Sequence, residues 1–364
     1  MSNETRLVVK IGSSSVTGPD GAPAVDRLTR LAAEIAALAS SGTEVVVVSS
    51  GAVAAGWAAI GHGRPRPQSP AVLQAVSAVG QHRLMSTWAD CFARVDRTVG
   101  QVLLAPLDFA DRQQYLHARQ TLEQLLAFGI IPIVNENDAV ADDEIRFGDN
   151  DRLAALVAHL VGASRLVMLT DAPGLLTADP RLDAAASLIE EVTEFDRSLE
   201  AVAGGPGTVG SGGMASKLAA ARIATWSGVE AVIAPADLPG ALATIELGGA
   251  TVGTTYRARP ASLSARKLWI AFARAASGRL HIDEGAAAAL TGSGRSLLAP
   301  GVVAVEGDFD EGDAVEIIDG HGDLVAKGLI RYGASETKAI VAHADPGSDP
   351  VLVHRDDLVV LVGA

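Results

Sequence analysis

Apolar residues along the chain fall into two kinds of stretch. Short unbroken runs, Leu7-Val8-Val9 with Ile11, Val45–Val48, Val99–Leu104, Ile130–Val134, Leu166–Leu169 and Ala231–Ala234, read as strands. A run with no polar interruption, such as Val45–Val48, predicts a strand buried on both faces. Between the runs the apolar positions spread out. Leu28, Leu31, Ala32, Ile35, Leu38 and Ala39 recur at the i, i+3, i+4, i+7 spacing of one helix face. Helical patterns also cover about Ala71–Phe92, Tyr115–Phe128, Arg152–Leu160 and Ala215–Trp226. This alternation predicts an α/β fold, a mainly parallel sheet sandwiched by helices. Ligands of such sheets sit at the carboxyl ends of the strands, so the loops that follow strands are where chemistry is expected.

The pattern changes near residue 257. The stretch 257–277 opens with four basic residues between Arg257 and Lys267, carries Pro260, and reads as a linker. Beyond it lie short runs at Val302–Val305, Ala314–Ile318 and Leu324–Leu329, with Asp319-Gly320-His321-Gly322 as a hairpin turn and one helix near Asp283–Leu290. The chain therefore divides into a first domain over 1–256 and a small β-rich domain over 278–364.

Composition narrows the function classes. The 364 residues are 48% hydrophobic but only 4% aromatic, so the core must be aliphatic. With 29 basic and 43 acidic residues the net charge is −14, and only five residues are lysine. Residues 278–364 alone hold 6 basic and 15 acidic side chains. Such a balance argues against a broad grip on nucleic-acid backbone but leaves room for a compact anion site. A single cysteine, Cys91, permits no internal disulfide and suits a reducing cytoplasm. The first residues run from charged positions straight into a strand pattern, unlike a signal peptide, and no apolar stretch reaches the roughly 18–20 residues of a membrane span. The eight histidines show no paired metal-ligand spacing, so no protein metal site is expected.

Five loops carry candidate chemistry. Lys10-Ile11-Gly12-Ser13 ends the first strand; Gly12 would let a phosphate approach the backbone, whereas Lys10 reads equally as an edge-strand lysine reaching water. Ser49-Ser50-Gly51 follows the second strand with small residues suited to an anion, or simply to tight packing. Asn135-Glu136-Asn137-Asp138 follows Ile130–Val134, and Gly148-Asp149-Asn150-Asp151 opens a helix. Asn150 or Asp151 taken alone would be a helix cap, but the two clusters together suit a zwitterion, with carboxylates for an ammonium and amides for carboxylates. Thr170-Asp171 follows Leu166–Leu169. The glycine-dense segment Gly204–Lys217 leads into a helix and suggests a flap over a polyphosphate, or a plain linker. Its formal G-x-G-x-x-G match lacks the preceding strand of a dinucleotide site.

Taken together these loops resemble the amino acid kinase family, and within it the branch that phosphorylates free glutamate. The carrying segments are VVKIGSSS, VVSSGAVAAG, IIPIVNENDAV, RFGDNDRLAA, LTDAPGLLTADPR and GSGGMASK, across about residues 6–250. VNENDAV with GDND is the specific part, since relatives acting on N-acetylglutamate, aspartate, carbamate or UMP differ there. Ser13 stands where the family often has Thr; both offer a hydroxyl. From about Gly278, GRLHIDEGAAAAL and LLAPGVVAVEGDF resemble a PUA domain, a small β-barrel. The resemblance implies transfer of a phosphoryl group from ATP, with Mg²⁺, to the γ-carboxylate of L-glutamate, the first step towards proline. It implies Lys10, Lys217, Asp171 and Gly12 as catalytic, with Asp171 orienting the two lysines and Gly12 and Gly51 offering N–H groups. Ser50, Gly51, Asp138 and Asn150 would hold glutamate, with Asp149 and Asp151 shaping that pocket. ATP would be bound by Lys10, Thr170, Asp171 and the segment Ser211, Gly212, Gly213, Met214, Ala215, Ser216 and Lys217. Feedback inhibition by proline and a homo-oligomer, dimer or tetramer, are further implications. PUA domains elsewhere bind RNA, but the acidic tail weighs against a nucleic-acid partner here, and no membrane partner is expected.

Overall fold

The computed structural model describes residues 5–61, 69–105, 107–140, 150–183, 185–195, 199, 213–248, 252–260, 263–273, 276–344 and 350–361. The chain divides into two units, 1–263 and 264–364. The stretch 257–277 is thus shared between them: Arg259 donates its backbone N–H to Thr225 in the first unit, while Leu268 and Ile270 are fully buried in the second.

The first unit is built on an eight-stranded sheet. Its strands are β1 (Arg6–Ile11), β2 (Glu44–Ser49), β3 (Val99–Leu104), β4 (Ile131–Glu136), β5 (Arg165–Thr170), β6 (Glu191–Val192), β7 (Glu230–Pro235) and β8 (Thr254–Tyr256). They lie in the order β3-β4-β2-β1-β5-β7-β8-β6, and every neighbouring pair is parallel except β7 with β8. All six strands expected from apolar runs form. The short β6 and β8 lack enough residues to show a pattern.

Side chains alternate between the faces of a strand. Leu7, Val9 and Ile11 of β1 join Val45, Val47, Ile131, Ile133, Val167 and Leu169 in one core, covered by Leu28, Leu31 and Ile35 of helix Val25–Ser40 and by Leu84, Trp88 and Phe92 of helix Pro70–Ala93. Val8 and Lys10 point to the opposite face, against which helix Asn150–Leu160 packs. Helix Met214–Trp226 packs beside that helix and on β7.

The second unit carries a six-stranded sheet in the order β10-β14-β13-β12-β9-β11: β9 (Gly278–Ile282), β10 (Leu297–Leu298), β11 (Val302–Gly307), β12 (Ala314–Ile318), β13 (Leu324–Ile330) and β14 (Val351–Val360). The β12–β13 hairpin closes at 319–322, where the Asp319 carboxylate accepts the N–H groups of His321 and Asp323 and Gly322 takes a φ of 85°. The Asp283 side chain caps helix Glu284–Ser293 by accepting the Ala286 N–H at 2.7 Å. Its core is separate and aliphatic, built around Leu280, Ile282, Val315, Ile317 and Leu352.

Candidate active site

Lys10 sits in the middle of the sheet, not at an edge, and only 3% of it is exposed. A buried ammonium needs a partner. It finds one because β1 turns Lys10 towards the first turn of helix Asn150–Leu160, where Asp151 is fully buried. Asp151 Oδ1 is ion-paired with Lys10 Nζ. Asp151 Oδ2 lies 3.2 Å from Lys217 Nζ and accepts a hydrogen bond from Ser216 Oγ at 3.1 Å. Lys217 is 5% exposed, one turn into helix Met214–Trp226. One carboxylate therefore holds two buried ammonium groups, and the triad by itself carries a net positive charge at the carboxyl end of the sheet. That is a ready place for an anion.

The Asp171 carboxylate does not do this. It lies past the end of β5, exposed, and accepts the hydroxyl of its neighbour Thr170 at 3.0 Å. Asp151, expected to shape a substrate pocket, takes the bridging place because it rides on the helix that covers the Lys10 face. The expected role of the Gly12 N–H also changes. It donates to the Leu169 carbonyl at 3.3 Å. Gly12 has an ordinary φ of −69°, and a Cβ there would meet only Leu169 O at 3.6 Å and Lys10 Nζ at 3.9 Å. Nothing in the fold demands glycine; its missing side chain leaves space beside the lysine.

A second cluster lies next to the triad. Asn150 Nδ2 donates to Ser49 O at 3.0 Å, Ser50 Oγ at 3.1 Å and Asn135 Oδ1 at 2.7 Å. One amide thus ties the loop after β2, the end of β4 and the start of the helix together. Asn135 Nδ2 and Asn150 Oδ1 are both buried and have no partner among the described residues. A donor and an acceptor left unused in one small region await a ligand with both kinds of group. Gly51 follows Ser50 with a φ of 102°, a left-handed conformation that a side chain resists, and opens helix Ala52–Ile60. Asp138 lies two residues past the end of β4. It accepts the hydroxyl of Ser77, and burial pushes its pKa above the usual carboxylate value, partly offset by that hydrogen bond.

Three residues of helix Pro70–Ala93 belong to this region and carried no sequence motif. Ser77 holds Asp138, Gln81 Nε2 donates to Glu136 O at 3.2 Å, and Trp88 Nε1 donates to Ser49 Oγ at 3.0 Å. The one available signal is the spacing of Ser77 and Gln81, four apart and so on one helix face. On the other side of the triad Thr170 ends β5, buried, and Gly213, extended, precedes half-buried Met214, Ala215 and Ser216. Asp149, Ser211 and Gly212 lie outside the described residues.

A sheet with its polar loops gathered at the carboxyl strand ends, around two buried lysines, defines a class of phosphoryl-transfer protein, and the sequence agrees. The sequence pattern of the amino acid kinase family matches residues 5–235 and that of the PUA domain matches residues 278–344. The chain belongs to the amino acid kinase family. It is 47% identical over 358 residues to the glutamate 5-kinase of Nocardia farcinica, covering 97% of this chain and 96% of that one. It is also 47% identical to glutamate 5-kinase of Mycobacterium tuberculosis (98% and 94% covered) and 46% identical to that of Citrifermentans bemidjiense (98% and 97% covered).

Proposed function

We propose that this chain is an enzyme that phosphorylates the γ-carboxylate of L-glutamate with ATP, giving L-glutamyl 5-phosphate and ADP, the first step of proline biosynthesis. The observation that carries the reading is the meeting of two half-sites. Lys10 and Lys217 converge on Asp151, and directly beside them Asn150 gathers Ser50 and Asn135, while Asp138, three residues beyond Asn135, is held by Ser77.

The chemistry follows from these groups. A γ-carboxylate has a reference pKa near 4.3, so at neutral pH it attacks without a general base. The obstacle is bringing one anion in line with another, which calls for positive charge and fixed orientation. In this reading Lys10 and Lys217 stabilise the transferring phosphoryl group, and Asp151 keeps both side chains aimed. The space beside Gly12 admits the phosphates. Asp138 receives the free α-ammonium, which N-acetylglutamate lacks, and Asn150 and Ser50 orient the carboxylates. Thr170, Asp171 and residues 211–217 bind the nucleotide. Mg²⁺ enters on the phosphates of ATP and offsets part of their charge.

Proline as feedback inhibitor, a homo-oligomer and a cytoplasmic location belong to the same reading. No helix among the described residues is long and apolar enough to cross a membrane. The test is an assay with ATP, Mg²⁺ and hydroxylamine, offering glutamate, N-acetylglutamate, aspartate and UMP in turn. Hydroxamate and ADP are expected with glutamate; ADP formation with UMP alone overturns the reading.

A further inference from the structure

Helices Ala52–Ile60 and Pro70–Ala93 meet backbone to backbone. A Cβ on Gly80 would stand 1.7 Å from the Ala52 carbonyl oxygen and 2.6 Å from the Gly56 nitrogen. A Cβ on Gly56 would stand 1.9 Å from the Val76 carbonyl oxygen and 3.0 Å from the Gly80 nitrogen. A relaxed C–H···O contact is about 3.3–3.6 Å, so a methyl group at either glycine drives the helices apart by about 1.5 Å. Neither glycine has a positive φ. Glycine inside a helix costs about 1 kcal/mol relative to alanine, so the close approach itself is what these two positions provide.

The crossing lies inside the amino-acid pocket's framework. Ala52, whose carbonyl touches Gly80, directly follows Ser50 and Gly51. Gly80 lies between Ser77, which holds Asp138, and Gln81, which holds the Glu136 carbonyl. One turn beyond Leu84, Trp88 of the same helix holds Ser49. The first helix thus opens directly from Ser50–Gly51, the second holds Asp138 and, farther along, Ser49, and the two glycines set how closely the Ser50–Gly51 turn seats against the helix that holds Asp138. Resting on the functional reading above, we infer that Gly56 and Gly80 are positioning residues for the glutamate pocket: their crossing fixes the span between Ser50 and Asp138 and so the length of amino acid that bridges to the lysines. The nucleotide side, on β5 and helix Met214–Trp226, makes no use of it.

The test separates the two half-sites. Steady-state KM values for glutamate and for ATP are measured on the full chain and on Gly80→Ala and Gly56→Ala. A displacement of about 1 Å at a reacting centre can cost up to a hundredfold, so glutamate KM is expected to rise about tenfold or more while ATP KM stays within about twofold. Equal rises in both constants, or no rise in either, overturn the inference. Hydrogen exchange on the unaltered chain tests it without any substitution: glutamate is expected to slow amide exchange in 52–60 and 76–84 together. Slowing in one helix alone, or in neither, overturns it. If the unaltered chain turns over a different acceptor, the functional reading fails, and the same split is then read on that acceptor.

Discussion

Lys10, Asp151 and Lys217 are individually expensive residues. Each is a charge removed from water, and breaking a buried pair leaves the partner uncompensated at about 3–5 kcal/mol. Their retention together is explained by use. Lys10→Ala and Lys217→Ala are each expected to lower kcat by about a hundredfold or more, the cost of losing one donor to a transition-state anion. Far-UV circular dichroism should show the fold intact, and near-normal turnover in either variant contradicts the assigned roles. Asp138 gives the opposite kind of signature. Burial raises its pKa in the folded chain, so its contribution favours folding below the unfolded value and is lost as pH rises through the folded value. Asp138→Asn should therefore raise the melting temperature at neutral pH, with the gain vanishing towards acid. It should also raise KM for glutamate about tenfold or more, as expected for losing a hydrogen bond to a charged group. A variant both less stable at neutral pH and unchanged in KM refutes the assignment.

Elements explain why those residues meet. The strand runs β1, β2, β4, β5 and β7 are apolar enough to be read directly, because strands covered on both faces need no polar alternation. Lys10 was the anomaly in the first of them, and its reading as an edge lysine fails because β1 lies between β2 and β5. Helix Arg112–Ala127 shows local control away from the site. The Asp111 carboxylate accepts the N–H groups of Gln113 and Gln114, both at 2.9 Å. Asp111→Ala is expected to cost about 1 kcal/mol in denaturant unfolding while leaving both KM values unchanged. An equal loss of substrate affinity would mean that this helix reaches the site. Helix Pro70–Ala93 taught the converse lesson. Its apolar pattern reads as core, and Ser77, Gln81 and Trp88 look like incidental polar or aromatic positions until β4 and the loop after β2 are placed beside them.

At the scale of the whole molecule each unit has a hydrophobic core of its own, mostly aliphatic, with Trp88 and Phe92 in the first and Phe309 in the second. Calorimetry of the full chain should accordingly depart from a single two-state transition. Glutamate with a non-hydrolysable ATP analogue should stabilise residues 1–263 alone, by about 2.7 kcal/mol for each ligand at a hundred times its Kd. A uniform shift of all heat absorption would show that the units unfold as one. The net charge of −14 adds no attraction for two anionic substrates, so recognition rests on short-range charge at the lysines and on amides within hydrogen-bond reach.

Pattern and spacing along the chain by themselves determine which segments become strands and helices, and that ligands belong in the loops at the carboxyl strand ends. Apolar periodicity is a local property, written within a few residues of itself, and so is a motif such as VNENDAV. Resemblance to known kinases then attached a reaction to those loops. Only the tertiary structure decided which carboxylate serves the lysines. Asp151 and Asp171 both follow strands or open helices, and sequence offers no way to rank them; the answer depends on which helix lies over the Lys10 face of β1. The same holds for Gly56 and Gly80, whose purpose is a contact between two helices. Distances between segments far apart in the chain are set by packing, and packing is where this site acquires its shape.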